Sequence, residues 1–234
     1  MDSISAERDT APATAIALAG QPIVKLVGLS KTYRQRKVID SFSLTVNDGE
    51  FVAIMGKSGS GKSTLLNIIG LLDKPDTGST VEIFGKPAPK PGSASARSLL
   101  RDHIGYLFQN AALIDQDSVE QNLATAQRFA HTSKEARKAE RMSALATVGL
   151  AGMDKQKVYE LSGGEQQRLA VACLLVQPCE LILADEPTGS LDAENRDAVL
   201  ELLHALRDQG KTVIVVSHDP VVAVSADRIV PLGY

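Results

Sequence analysis

At 234 residues, 44% hydrophobic and 23% charged, the chain has the length for one sizeable domain with room for a subdomain. A net charge of −3 argues against a broad nucleic-acid-binding surface, and no apolar run approaches the roughly 18 residues that a membrane span requires. The two cysteines, Cys173 and Cys179, lie in an apolar stretch without metal-ligand spacing and read as buried free thiols of a reducing compartment.

Residues 1–22 are small and polar, acidic where a secretory leader would be basic, and read as a disordered tail; Ile16 to Ala19 is too short for an anchor. Ile23 to Leu29 and Val38 to Val46 carry β-branched, alternating patterns expected at the edge of an antiparallel sheet, and Asn47-Asp48-Gly49 turns the chain into the next strand. From Phe51 to Leu66 a buried-strand pattern joins a helix start through a glycine-rich turn. Its spacing is Gly56, four residues, Gly61, Lys62, Ser63, which is a phosphate-binding loop. Gly56, Gly59 and Gly61 permit backbone angles that a side chain would block, so successive N–H groups can face phosphate oxygens at the positive end of the helix. Lys62 then supplies a cation between the β- and γ-phosphates, Ser63 a hydroxyl to Mg²⁺, and Thr64 one to the α-phosphate.

Lys62 to Leu71 is the helix that follows, and Asp73 to Gly78 loops back to a strand at Thr80 to Phe84. Lys86 to Ser95, rich in Pro, Gly and Ser, reads as a linker. From about residue 96 to 157 a helical pattern is expected, with a cap at Ser133 and a stop at Gly149; its charges at Lys134 to Arg141 read as a solvated face. The α/β rhythm resumes with a strand at Leu181 to Ala184, a helix at Glu194 to Arg207, and strands at Thr212 to Val216 and Arg228 to Leu232. The strand at Leu181 ends in two carboxylates, where a parallel sheet presents its ligand edge. Beside a phosphate loop, Asp185 would hold Mg²⁺ through its water shell and Glu186 would polarise an attacking water as general base. Leu161-Ser162-Gly163-Gly164-Glu165 opens another helix, whose N-terminus suits an anion.

Taken together, these motifs resemble the ATP-binding cassette family: the loop from Gly56 to Thr64, Gln109, the signature Leu161 to Glu165, Asp185 and Glu186, Ser190-Leu191-Asp192, and His218. The resemblance covers nearly everything after residue 22. It implies an α/β fold with a P-loop NTPase (RecA-like) core, an antiparallel β subdomain and an inserted helical subdomain at about 96–157, all within a single ATPase domain over 23–234. It also implies ATP and Mg²⁺ as ligands, with Ser58, Gly59 and Ser60 among the loop contacts. Tyr33 would stack on adenine, Gln109 would reach Mg²⁺ and the attacking water, and His218 would bond the γ-phosphate. Two copies would sandwich two ATP molecules, Ser162, Gly163 and Gly164 of one facing the phosphates held by Lys62 of the other, with Asp192 crossing the interface.

Within the family the likeness is to the macrolide-exporter and lipoprotein-release type. That type implies a separately encoded membrane permease at the cytoplasmic face of the membrane and export or mechanical extraction of peptide, lipoprotein or drug. Some members serve bacteriocin export or immunity. Lys57, in the loop, and Cys173, where arginine is commoner, depart from the pattern without removing a catalytic group. The alternative is a soluble cassette ATPase acting on nucleic acid or ribosomes, which would show paired cassettes, coiled-coil arms or basic insertions; nucleic acid is therefore not the expected partner.

Overall fold

The computed structural model describes residues 22–130 and 132–233, so almost all of the expected tail lies outside the described residues. Two sheets share the first layer of core. Strands β1 (Val24–Tyr33), β2 (Arg36–Val46), β4 (Thr80–Ile83) and β5 (Lys86–Pro87) form an antiparallel sheet in the order β2-β1-β4-β5. Strands β3 (Phe51–Met55), β6 (Ile104–Leu107), β7 (Leu181–Asp185), β8 (Thr212–Ser217) and β9 (Arg228–Pro231) form a five-stranded sheet in the order β6-β7-β8-β3-β9, every pairing parallel. The unbroken apolar runs of β3, β7 and β8 follow from burial on both faces.

One face of that sheet packs on helix α1 (Lys62–Ile69) and the antiparallel sheet, through residues such as Ile54, Leu65, Leu183 and Ile214. The other is covered by α5 (Gly163–Val176), α6 (Ala193–Asp208) and α7 (Pro220–Ser225), through Phe51, Val171, Leu203 and Val215. A third cluster joins α3 (Val119–Ala126) and α4 (Lys134–Thr147) to α5 through Leu123, Leu145 and Leu169. Helix α5 therefore buries two faces, Ala170 and Leu174 toward the sheet and Leu169 and Ala172 toward α3 and α4. Ser133 caps α4 by accepting from Ala136 N, and Gly149, in the left-handed region with φ 72°, follows the end of that helix.

Three expectations need correction. The stretch 96–157 is not uniformly helical, because Ile104–Leu107 enters the parallel sheet beside β7. Its glycine lets the backbone pass close, since a Cβ at Gly105 would lie 2.6 Å from Leu174 Cδ2. Lys86 to Ser95 is not a plain linker: Lys86–Pro87 pairs with β4, and Ser93 caps α2 (Ala94–Asp102). Helix α1 stops at Ile69 rather than Leu71, at the point where Tyr106 packs against Gly70 and leaves no room for a Cβ. Among the described residues no helix is long and apolar enough to cross a membrane.

Candidate active site

Strands β7, β8 and β3 are neighbours running the same way, so their C-terminal ends open on one edge. The glycine-rich loop after β3, Asp185 and Glu186 after β7, and His218 after β8 meet there. The loop, Glu186 and His218 border a cavity of about 560 Å³ that Tyr33, Ser58, Gly59, Gly61, Lys62, Ser63, Thr64, Gln109, Glu186 and His218 line, and Asp185 stands behind Ser63 outside the lining. Sequence reading had named every one of these residues. Gly59 and Gly61 hold φ of 76° and 97°, and a Cβ at Gly61 would meet Val38 Cγ1 at 2.9 Å, so the loop needs glycine there for angle and for space. Gly56 and Ser60 stand behind the cavity wall: a Cβ at Gly56 would meet Leu232 O and Ser60 Oγ, each at 2.5 Å.

Lys62, only 6% exposed, donates to the carbonyls of Gly56 and Lys57 at 2.8 and 3.2 Å and lies 3.3 Å from Glu186 Oε1. Ser63 Oγ donates to Asp185 Oδ1 at 3.0 Å. The second oxygen of Glu186 accepts from Ser217 Oγ at 3.1 Å and from His218 N at 3.4 Å, and it lies 3.0 Å from His218 Nδ1. Burial raises the Asp185 carboxyl above its ordinary value and the Glu186 charge adds to the rise, against the Ser63 hydrogen bond and Lys62. A half-buried carboxylate in that position favours a cation beside it.

Tyr33, about half exposed at the hairpin end of β1, donates its hydroxyl to Asp73 and carries the Lys31 ammonium 4.7 Å from its ring centroid. Burial, with the Asp73 bond, pushes its phenol up. Gln109 Nε2 lies 3.5 Å from Ser190 Oγ. Ser162 and Gly163 are exposed and Gly164 is buried, and none of the three borders the cavity. Ser162 caps α5 reciprocally with Glu165, accepting from Glu165 N at 3.3 Å while Glu165 Oε2 accepts from Ser162 N at 2.7 Å. Those backbone and hydroxyl bonds hold the Glu165 carboxyl below its usual range.

The residues fit both expected ligands. A hydroxyl and a carboxylate oxygen 3.0 Å apart are the hard donors Mg²⁺ takes while leaving its other positions to water and phosphate. Among the described residues, no group of three or more His, Cys, Asp or Glu side chains offers a self-sufficient metal cage. Sequence reading missed Arg36, whose guanidinium borders the cavity 3.5 Å from Gly59 O, and Ser217, which bonds Glu186. The only local signal for either is adjacency, Arg36 as the cross-strand partner of Tyr33 and Ser217 as the residue before His218 at a strand end. Neither departure from the expected pattern reaches the site, for the exposed Lys57 lends only its carbonyl to Lys62 and Cys173 lies in α5 among helix contacts, its thiol pushed up to about 12 by burial.

Residues 39–189 match the ABC transporter family. The chain is 38% identical over 222 residues to the macrolide export ATP-binding/permease protein MacB 1/2 of Paracoccus denitrificans, covering 93% of this chain and 33% of that protein. It is 39% identical over 215 residues to the MacB protein of Shigella flexneri, covering 90% of this chain and again 33% of that protein. The chain thus spans a third of the length of the curated relatives it matches. Among solved structures, it resembles the dimeric post-hydrolysis state of an ATP-binding cassette bound to ADP and Pi, at 38% identity and a TM-score of 0.81, covering 90% of this chain and 94% of that one.

Proposed function

This chain belongs to the ABC transporter family, and on that premise we propose that it is the ATP-binding and ATP-hydrolysing component that drives a membrane permease, for export or mechanical extraction of peptide, lipoprotein or drug. The observation that carries the reading is the convergence of Lys62, Ser63, Glu186 and His218 on one cavity, with Asp185 bonded to Ser63 behind it, while Ser162 to Gly164 open helix α5 away from it. Such a site is half of a composite one, and the dimeric relative bound to ADP and Pi supports a second copy supplying the other half.

In this reading Tyr33 stacks on the base and the N–H groups of residues 59–64 face the phosphates. Ser63, Asp185 and Gln109 would hold Mg²⁺, which would supply charge neutralisation at the phosphates. Lys62 leaves Glu186 for the phosphates, freeing that carboxylate to take a proton from the attacking water, and His218 bonds the γ-phosphate. Helices α3 and α4, within 96–157, form the helical subdomain of the single domain at 23–234, and the permease holds the chain at the cytoplasmic face of the membrane.

Glu186→Gln tests the assignment. ATP binding is not weakened, hydrolysis by phosphate release falls about 10²- to 10⁴-fold as for loss of a general base, and an ATP-dependent dimer accumulates on a sizing column. Hydrolysis at the parent rate would remove Glu186 from that role.

A further inference from the structure

Successive polar residues in the first turns of α5 reach away from the helix to separate segments. Gln166 Nε2 donates to the carbonyls of Val158 and Leu161 at 3.2 and 3.1 Å. The buried Gln167 donates to the carbonyl of Phe108 at 3.1 Å, one residue before Gln109. Arg168 donates through Nε to Val148 O at 3.1 Å and through Nη1 to Asn195 Oδ1 at 2.5 Å.

Asn195 completes the last of these links. Its backbone N–H donates to Asp192 Oδ1 at 2.8 Å, and its Nδ2 donates to both carboxylate oxygens of Asp192 at 3.0 Å. These bonds, the backbone one foremost, hold the Asp192 carboxyl below its usual range. The same amide covers the turn before α5: a Cβ at Gly164 would lie 2.2 Å from Asn195 Oδ1 and 2.4 Å from Asn195 Cγ. The demand for glycine at position 164 therefore arises inside this chain.

We propose that Asn195 is a positioning residue that locks the Asp192 segment to the Ser162–Gly164 turn, so that both meet the nucleotide of a second copy as one rigid unit. The proposal rests on the composite-site reading above. Asn195 does not line the cavity holding Lys62, so its loss leaves the chain's own ATP pocket intact.

The test combines Asn195→Ala, and separately Asn195→Asp, with Glu186→Gln, and measures ATP affinity at low protein concentration and ATP-driven dimerisation by sedimentation. Asn195→Asp keeps an acceptor for Arg168 but replaces the side-chain donation to Asp192 by repulsion between two carboxylates, so it gives the same defect or a larger one while the Arg168 link is kept. With Glu186 restored, kcat falls about tenfold at unchanged KM while ATP affinity stays within about twofold, as misplacement of a remote half-site requires. Gly164→Ala alone lowers Tm, and adding Asn195→Ala recovers at least half of the loss. Parent-like dimerisation and kcat in both Asn195 variants would overturn the proposal, as would a Gly164→Ala defect that Asn195→Ala leaves untouched. Failure of Glu186→Gln itself to dimerise with ATP would sink the composite-site reading instead, and the Tm comparison would still decide the contact at position 164.

Discussion

The 3.3 Å contact between Lys62 and Glu186 makes a quantitative prediction, because the phosphate-binding cation and the general base neutralise each other. Their side chains are 6% and 16% exposed, so solvent screens the pair weakly. At an effective dielectric near 20 the Coulomb attraction at that distance is about 5 kcal/mol, and desolvation of both ions reduces the net coupling to about 1–3 kcal/mol. Phosphate must compete with Glu186 for Lys62, so the same coupling opposes ATP binding. Glu186→Gln therefore tightens ATP binding about tenfold, since each 1.4 kcal/mol is about a factor of ten, and lowers Tm without nucleotide by about 2–4 °C per kcal/mol lost. A thermodynamic cycle with Lys62→Met isolates the pair: in that background Glu186→Gln changes neither quantity by as much. Isothermal titration with ATP and thermal melts of the four proteins supply the measurement. A coupling within about 0.3 kcal/mol of zero, or ATP affinity unmoved by Glu186→Gln, refutes the argument.

Two further outcomes follow from the site. Tyr33→Ala raises the KM for ATP about two- to tenfold, the usual worth of an aromatic contact, whereas Tyr33→Phe, losing only the Asp73 bond, raises it less; equal effects in steady-state kinetics would remove the stacking role. Asp185 has a folded-state pKa above its ordinary value, so the fold binds more protons there and loses stability as pH rises through the interval between the two values. Asp185→Asn removes that loss, raising Tm at pH 7 without nucleotide and flattening its decline above pH ~4, while activity falls about 10- to 100-fold; a lower Tm contradicts the sign.

What could be read from the sequence was what local chemistry dictates. The phosphate loop declares itself because Gly59 and Gly61 occupy angles other residues avoid, and β7 and β8 because strands buried on both faces carry unbroken apolar runs, Leu181 to Ala184 and Val213 to Val216. The four residues of β6 carry no such signature. Their identity as a strand comes from pairing with β7, which places Ile104 opposite Leu181 across 77 positions of chain, and Gly105 weakens the local pattern further. Helix α2 starts in a stretch whose Pro, Gly and Ser content imitates a linker, and the decisive feature is a cap at Ser93 visible only in three dimensions. Arg36, Ser217 and Asn195 escaped for a related reason. Each acts through a neighbour remote in sequence or across a strand pair, and no motif spacing encodes such a contact.

The adjacency of Asp185 and Glu186 raises a geometric question that the backbone answers. In a continuing strand, successive side chains point to opposite faces, so neighbouring acids could not serve one mouth. Glu186 instead adopts φ 45°, in the left-handed region, with its N–H donating to Val216 O at 2.9 Å. A non-glycine residue held there costs about 1–3 kcal/mol. Glycine would relieve that strain and lose the carboxylate. The turn directs Asp185 to Ser63 on α1 and Glu186 to Lys62, Ser217 and His218, giving two adjacent acids two separate sets of partners at the same sheet edge. The strain is sustained because β7 and β8, fully buried from Leu181 to Ala184 and from Thr212 to Ser217, fix the residue on either side of the turn. Loosening that pair by cutting back a core side chain such as Ile214 therefore disturbs the acid pair as well as the fold, although Ile214 touches no substrate group.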